Sequence, residues 1–286
     1  MIWLSLVFLT VSIATAQSGI SVDALIDGID SPLRRPAAFA IGVGGLIYIA
    51  DTGNNRLVAL DSTGKIVFES SKGGSDSELR WPIDVAIGSN GRVYVADSGK
   101  RRIVEYSRLL EWKGELTVKD SEKNALEPRL IAGNPAGDLF VYESDNGQLL
   151  RYDNFFTVVA QLGSQSGKQF GTPTGLSYSP SYGVLWINRE DRKLYRCDAF
   201  LSEPHRFDVL GASLEVDQIC AIDSTLIGLS NTMFYRREGS TIDSLPLTEV
   251  WGTTISPPDL RIEASSRNDL YLLEVSDGTL HRVYWP

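Results

Sequence analysis

Residues 46–61 read LIYIADTGNNRLVALD, and the same pattern returns at 92–107 as RVYVADSGKRRIVEYS and, more faintly, at 138–153 as DLFVYESDNGQLLRYD. Tyr48, Tyr94 and Phe140 stand 46 residues apart each time, and another 46 reaches Trp186 in VLWINREDRKLYRCD. A fixed period of this length marks a repeat architecture and governs how everything around it is read. Two degenerate copies follow, TLIGLSNTMFYRRE at 225–238 and DLYLLEVSDGTLHRVY at 269–284.

Each copy reads as a β-hairpin, with a β-branched and aromatic run, a turn of Asp, Ser, Gly and Asn, then a second apolar run. The turns TGNN at 52–55, SGKR at 98–101, SDNG at 144–147 and SDG at 276–278 supply residues that tolerate positive φ. Upstream lies a further strand, usually opened by proline: PAAFAIG from Pro36, PIDVAIG from Pro82, PRLIAG from Pro128, PTGLSY from Pro173, VDQICAI from Val216 and PDLRIEA from Pro258. Proline at a strand's first position costs no ladder hydrogen bond. Downstream a fourth strand is expected at 65–70, 115–120, 157–163, 206–212 and 244–250. Four short antiparallel strands repeated six times predict an all-β fold, a six-bladed β-propeller with four-stranded blades. The sixth copy has no downstream strand of its own, and ISVDALIDG at 20–28 has the look of the fourth strands RFDVLGA and TVVAQLG. The N-terminal strand is therefore expected to complete the last blade and close the ring, hiding apolar faces that terminal repeats otherwise expose.

The composition is that of a globular protein: 286 residues, 43% hydrophobic and 22% charged. Twenty-seven Lys and Arg against 36 Asp and Glu leave a formal charge of -9, which disfavours binding to a phosphate backbone, so no nucleic-acid partner is expected. Residues 1–16, MIWLSLVFLTVSIATA, are uncharged and end on a small-x-small pattern, which reads as a signal peptide cleaved before Gln17. The mature chain, 17–286, is expected to be one domain with no transmembrane segment, in a secreted, periplasmic or extracellular setting. Cys197 and Cys220 are expected as two buried thiols, although one disulfide is possible there. Two cysteines and two histidines, His205 and His281, are too few for a zinc site of the usual kind.

The run from proline strand through IYIADTGNNRL and VYVADSGKRRI resembles the NHL repeat, most closely in the first two copies and most faintly in the last three. The resemblance implies a propeller that presents one face to a protein, peptide, glycan or small molecule, and it implies no reaction. It also implies that the turns between second and third strands share a face with the connections between blades. That face would present Asp51, Asp97, Glu143, Glu190 and Glu274 from the hairpins, and Arg35, Arg80, Trp81, Arg129 and Lys168 from the connections. Arginine offers a planar fork of donors and tryptophan a flat apolar surface, a combination suited to a peptide or glycan. A structural reading competes: Asp51 with Arg56 and Asp97 with Arg102 share a spacing of five, as expected for an ion pair within each hairpin, contributing roughly 0 to 1 kcal/mol if solvated. Trp81 suits packing under its loop as well as ligand stacking. Asp84, Asn134, Gln218 and Asp259 fall at or near the starts of innermost strands, within reach of the central channel.

Two catalytic readings follow from related propellers. A metal-dependent lactonase or hydrolase would gather hard oxygen ligands in the channel, with Asp84, Asp217 and Asp259 as candidates, but Ala38, Leu130 and Gly175 occupy comparable positions and leave the set incomplete. A zinc lyase would need channel histidines, which the positions of His205 and His281 do not supply. No GxSxG elbow is present for a serine hydrolase. The expected function is an exported noncatalytic recognition module or scaffold, binding an exported or envelope protein, a peptide or a glycan, without a cofactor or metal.

Overall fold

The computed structural model describes residues 21–26, 32–70, 77–120, 123–163, 170–207, 215–230, 232–248, 260–265 and 268–286. Residues 1–16, expected to be a signal peptide, lie outside the described residues, as do Lys168, Asp259 and the start of the strand expected from Pro258. The described strands form six four-stranded antiparallel sheets. The first blade is β2 (Ala38–Ile41), β3 (Ile47–Asp51), β4 (Arg56–Leu60) and β5 (Ile66–Glu69). The second is β6 (Pro82–Ile87), β7 (Val93–Asp97), β8 (Arg102–Tyr106) and β9 (Trp112–Leu116), and the third β10 (Pro128–Gly133), β11 (Leu139–Glu143), β12 (Gln148–Tyr152) and β13 (Val158–Leu162). The fourth holds β14 (Pro173–Ser179), β15 (Gly183–Asn188), β16 (Lys193–Cys197) and β17 (His205–Arg206), and the fifth β18 (Gln218–Ile222), β19 (Thr225–Leu229), β20 (Met233–Glu238) and β21 (Thr241–Pro246).

The sixth blade is completed from the other end of the chain. Its strands β22 (Leu260–Ala264), β23 (Asp269–Glu274) and β24 (Leu280–Tyr284) are joined at the outer edge by β1 (Ser21–Ile26). β1 runs antiparallel to β24, with Ser21 opposite Tyr284 and Val22 opposite Val283. The innermost strands β2, β6, β10, β14, β18 and β22 each touch the next, and β22 touches β2, so the ring is closed.

Burial follows from this arrangement. The second strand of a blade is covered on both faces by neighbouring blades, so IYIAD, VYVAD and LFVYE are buried at every position and carry no polar alternation. The core accordingly divides into six apolar clusters, each between two adjacent blades. Tyr48, Leu57 and Val104 belong to the one between blades one and two, and Phe140, Leu149 and Trp186 to the one between three and four. Ile26 of β1 packs with Ile47, Leu273 and Leu280 where the last blade meets the first.

Two fourth strands depart from expectation. The strand expected at 244–250 lies at Thr241–Pro246, because Glu238 pairs with Thr241 across a turn in which Gly239 takes φ of 59°. The one expected at 115–120 lies at Trp112–Leu116, because the preceding turn closes tightly with the Leu110 N–H donated to the Ser107 carbonyl at 2.9 Å. In blade four the strand begins at His205, and 208–214 lie outside the described residues.

Candidate functional site in the channel mouth

The turns between second and third strands and the connections between blades share one face, here the upper one, and they are bonded to each other. Arg34 N–H donates to Asp51 Oδ1 at 2.7 Å, Arg80 N–H to Asp97 Oδ1 at 2.6 Å, and Gly53 and Gly99 N–H to the carbonyls of Arg34 and Arg80 at 2.7 and 2.9 Å. The glycines let the two backbones touch, since a Cβ at Gly99 would stand 2.4 Å from the Arg80 carbonyl oxygen.

This geometry corrects the expectation that five hairpin acids are presented on the face. Asp51, Asp97 and Glu143 are fully buried, while Glu274 is half-buried and Glu190 exposed. Each buried carboxylate ties a hairpin together. Arg56 Nε and Arg102 Nε donate to Asp51 and Asp97 at 2.7 and 2.8 Å, so the pairs of spacing five exist, but in the interior rather than in solvent. In the third blade Gln148 stands where the arginine would be, and Glu143 accepts the N–H groups of Asn146 and Gln148 instead. Burial pushes the Glu143 carboxyl above its ordinary range. Glu274 ends β23 and lies 3.3 Å from Nε2 of His281 on β24.

The connections do remain on the surface. Arg35, Arg80 and Trp81 are exposed, with Trp81 half out in solvent and its N–H held by Asn55 Oδ1 at 2.8 Å. None of the three lines the channel. Arg129 does, with its guanidinium 3.1 Å from Glu127. Asn134 is placed differently from expectation: it follows the end of β10, at the opposite face, buried and paired with Asp138 at 2.8 Å.

The upper channel opens into a cavity of about 780 Å³. Its rim carries Arg129, Arg189 and Arg192, and its inner wall carries Asp84, Gln218 and Glu263 among Ala38, Leu130 and Gly175. Arg192 is clamped by Glu215 at 2.8 Å and Asp217 at 2.7 Å. Arg189 is exposed and donates its backbone N–H to Thr172.

Two carboxyl groups, from the blades on either side of the first, sense one another here. Asp84 sits on β6, and enclosure by the surrounding blades pushes its carboxyl up to about 7, against the lowering effect of the N–H groups of Ile131 and Val85 and of the Arg261 charge. Glu263 sits on β22, where burial and then the charge of Asp84 raise it to about 8. Both retain some solvent contact through the channel. At neutral pH the pair holds protons that two free carboxylates would have released.

Glu263, Arg189, Arg192 and Arg261 were not singled out from sequence. The register of β22 was the available signal: Glu263 stands opposite Tyr271 as Ala86 stands opposite Tyr94 and Ala132 opposite Phe140, a charge in a column of alanines. Among the described residues no group of three or more His, Cys, Asp or Glu is placed to hold a metal ion. His205 lies on β17 and accepts Arg196 Nε–H at 3.0 Å, so neither histidine reaches the channel. Cys197 and Cys220 are buried and not joined in a disulfide.

The closed ring of six four-stranded sheets around a channel defines a six-bladed β-propeller. The NHL repeat model matches residues 33–60 and 79–106, so the first two blades carry NHL repeats. No curated protein matches it by sequence. Among solved structures it resembles virginiamycin B lyase from Staphylococcus aureus, with a TM-score of 0.62 at 13% identity over 95% of this chain and 93% of that one. A gluconolactonase from Xanthomonas campestris gives 0.67 at 12% identity, covering 94% and 90%, and a streptogramin B lyase 0.65 at 10%, covering 93% and 98%. At such identities the likeness is one of fold.

Proposed function

We propose that the protein is an exported, noncatalytic recognition module that takes a protruding segment of an exported or envelope protein, a peptide or a glycan into the upper end of its channel. The observation that carries this reading is the cavity of about 780 Å³ at the face where the hairpin turns and blade connections meet. That volume is within the range of pockets that enclose a small ligand, and the frame around it is stiff. Arg129 and Arg189 on the rim offer planar donors, and Gln218, Asp84 and Glu263 offer hydrogen bonds deeper in. Export rests on the apolar segment 1–16 and its small-residue end.

Screening the protein against arrays of peptides and oligosaccharides, then remeasuring the best binder with R129A/R189A, tests the reading. At least a tenfold loss of affinity without loss of melting temperature is expected; unchanged affinity would place recognition elsewhere.

One observation favours a second reading, a lactonase or hydrolase working in the same cavity: Asp84 and Glu263 have carboxyl groups held near neutrality, as acid–base chemistry requires. The described residues do not assemble the ligand set a divalent metal would need. Turnover of a lactone panel that disappears in D84N and E263Q, with or without added calcium or zinc, would favour this reading over the first.

A further inference from the structure

The lower face, opposite the cavity, carries a feature the recognition reading leaves unused. In three consecutive blades the turn from third to fourth strand is built alike: SRLLE at 107–111, DNFFT at 153–157 and DAFLS at 198–202. The first residue's side chain accepts the N–H groups two and four positions on, from Leu109 and Glu111, from Phe155 and Thr157, and from Phe200 and Ser202. The fourth residue takes a positive φ, with Leu110 at 61°, Phe156 at 59° and Leu201 at 57°, and turns its side chain into the core. The third residue is thereby thrust outward. Leu109, Phe155 and Phe200 are 44, 81 and 70% exposed. In the first blade the same turn reads DSTGK, with Thr63 at the tip.

These tips stand on rigid, self-bonded turns, and neighbouring turns touch. A Cβ at Gly91 would meet Arg108 and the exposed Val43, one at Gly137 would meet Ser89 and Asn154, and the Arg151 guanidinium lies 5.1 Å from the Phe200 ring. Single apolar residues are ordinary on a protein surface; here three of them stand on one face, each at the tip of the same self-bonded turn, and it is that shared placement that marks an interaction surface. Their distribution says what kind. They are single prongs spread along three blades rather than the wall of one groove, so a partner needs no matching relief, only an apolar medium beneath a plane.

The chain's own entry point agrees. β1 begins at Ser21 opposite Tyr284, the lower end of blade six, across the ring from the prongs, and Tyr284 is itself 42% exposed. Only residues 17–20 separate Ser21 from the apolar stretch 1–16, a reach on the order of 15 Å. While that stretch is in a membrane, during export or for as long as it stays attached, the lower face is held against the bilayer from one side of the ring and the prongs meet it on the other.

We propose that the lower face is a membrane-contact surface, with Leu109, Phe155 and Phe200 dipping into the interfacial layer of a lipid bilayer and the cavity facing away from it. Contact of this kind scales with buried apolar area, and the mixed charges around the tips, Arg108 and Lys113 with Glu111 and Asp153, make it nearly insensitive to salt.

The full chain carrying F155C, labelled with an environment-sensitive fluorophore and mixed with phosphatidylcholine vesicles containing brominated lipid, tests it. The native cysteines are buried and do not compete. The label at 155 is expected to be quenched at least twofold, also in high salt, while a label at E190C on the upper face is unaffected. Adding L109S and F200S, which leaves the melting temperature unchanged because both tips are exposed, should abolish quenching at 155. An unquenched label at 155, equal quenching at both positions, or a response that depends on protein concentration without vesicles would overturn the proposal, the last by showing self-association. Binding of peptides or glycans in the cavity is measured separately and stands or falls independently.

Discussion

Asp84 of the second blade accepts the backbone N–H of Ile131, in the third blade, at 2.7 Å, while its other oxygen accepts Val85 N–H at 2.9 Å. One carboxyl thus joins two innermost strands and faces the cavity. Its ordinary pKa is near 4, and enclosure holds it well above that, while burial and then the charge of Asp84 do the same for Glu263. The folded protein therefore holds protons that the unfolded chain releases between roughly pH 4 and 8, and linkage requires stability to fall as pH rises through that window. Melting temperatures from pH 5 to 8.5 should decline, and E263Q, which removes one of the two groups, should flatten the decline. A wild-type curve that rises with pH would contradict the assignment.

The buried Asp97–Arg102 pair is a second point of leverage. D97A takes one carboxylate from buried Arg102, which keeps Glu115 and the Glu78 carbonyl, and also strips the Arg80 N–H of its acceptor, a loss of about 3 kcal/mol. Truncating exposed Glu190 should change stability by no more than about 0.5 kcal/mol. Urea unfolding of both variants measures the contrast, and equal losses would place Asp97 in solvent.

Gly99 tests the seam between hairpin and connection. G99A drives a methyl to 2.4 Å from the Arg80 carbonyl oxygen and must separate two bonded backbones, costing about 1–3 kcal/mol. G114A, where nothing stands within 4 Å of the added Cβ, provides the comparison. Calorimetry should show the first variant clearly less stable than the second.

Closure by β1 predicts that I26A, which hollows the cluster between the last blade and the first, costs about 2–4 kcal/mol. Removing residues 17–30 should lower the melting temperature further. An unchanged transition would mean that the ring does not depend on β1.

The ring was legible because each blade repeats one problem, how to bury a hairpin on both faces, and the solution leaves Tyr48, Tyr94, Phe140 and Trp186 at a constant interval. The closing strand was legible for the same reason: ISVDALIDG carries the fourth-strand pattern at the wrong end of the chain. The cavity was not. Channel-facing positions have no periodic constraint, so Glu263 and Arg261 look like any alternating strand residues until the six innermost strands are set in a circle. Hairpin acids misled because a carboxylate beside a turn usually points to solvent, whereas here the neighbouring connection covers Asp51 and Asp97 and supplies their N–H donors. The prongs escaped notice because Leu-Leu, Phe-Phe and Phe-Leu pairs read as core, and only the positive φ of the second member shows that the first points outward.

Hydrogen–deuterium exchange with the best peptide or oligosaccharide from the array, at saturating concentration, tests the central claim most directly. Recognition in the channel mouth predicts new protection in β6, β14, β18 and β22 and in the connection around Arg129, with none on the turns at 107–111, 153–157 and 198–202. Protection confined to the lower face or the outer strands, or an array from which nothing binds, would contradict it.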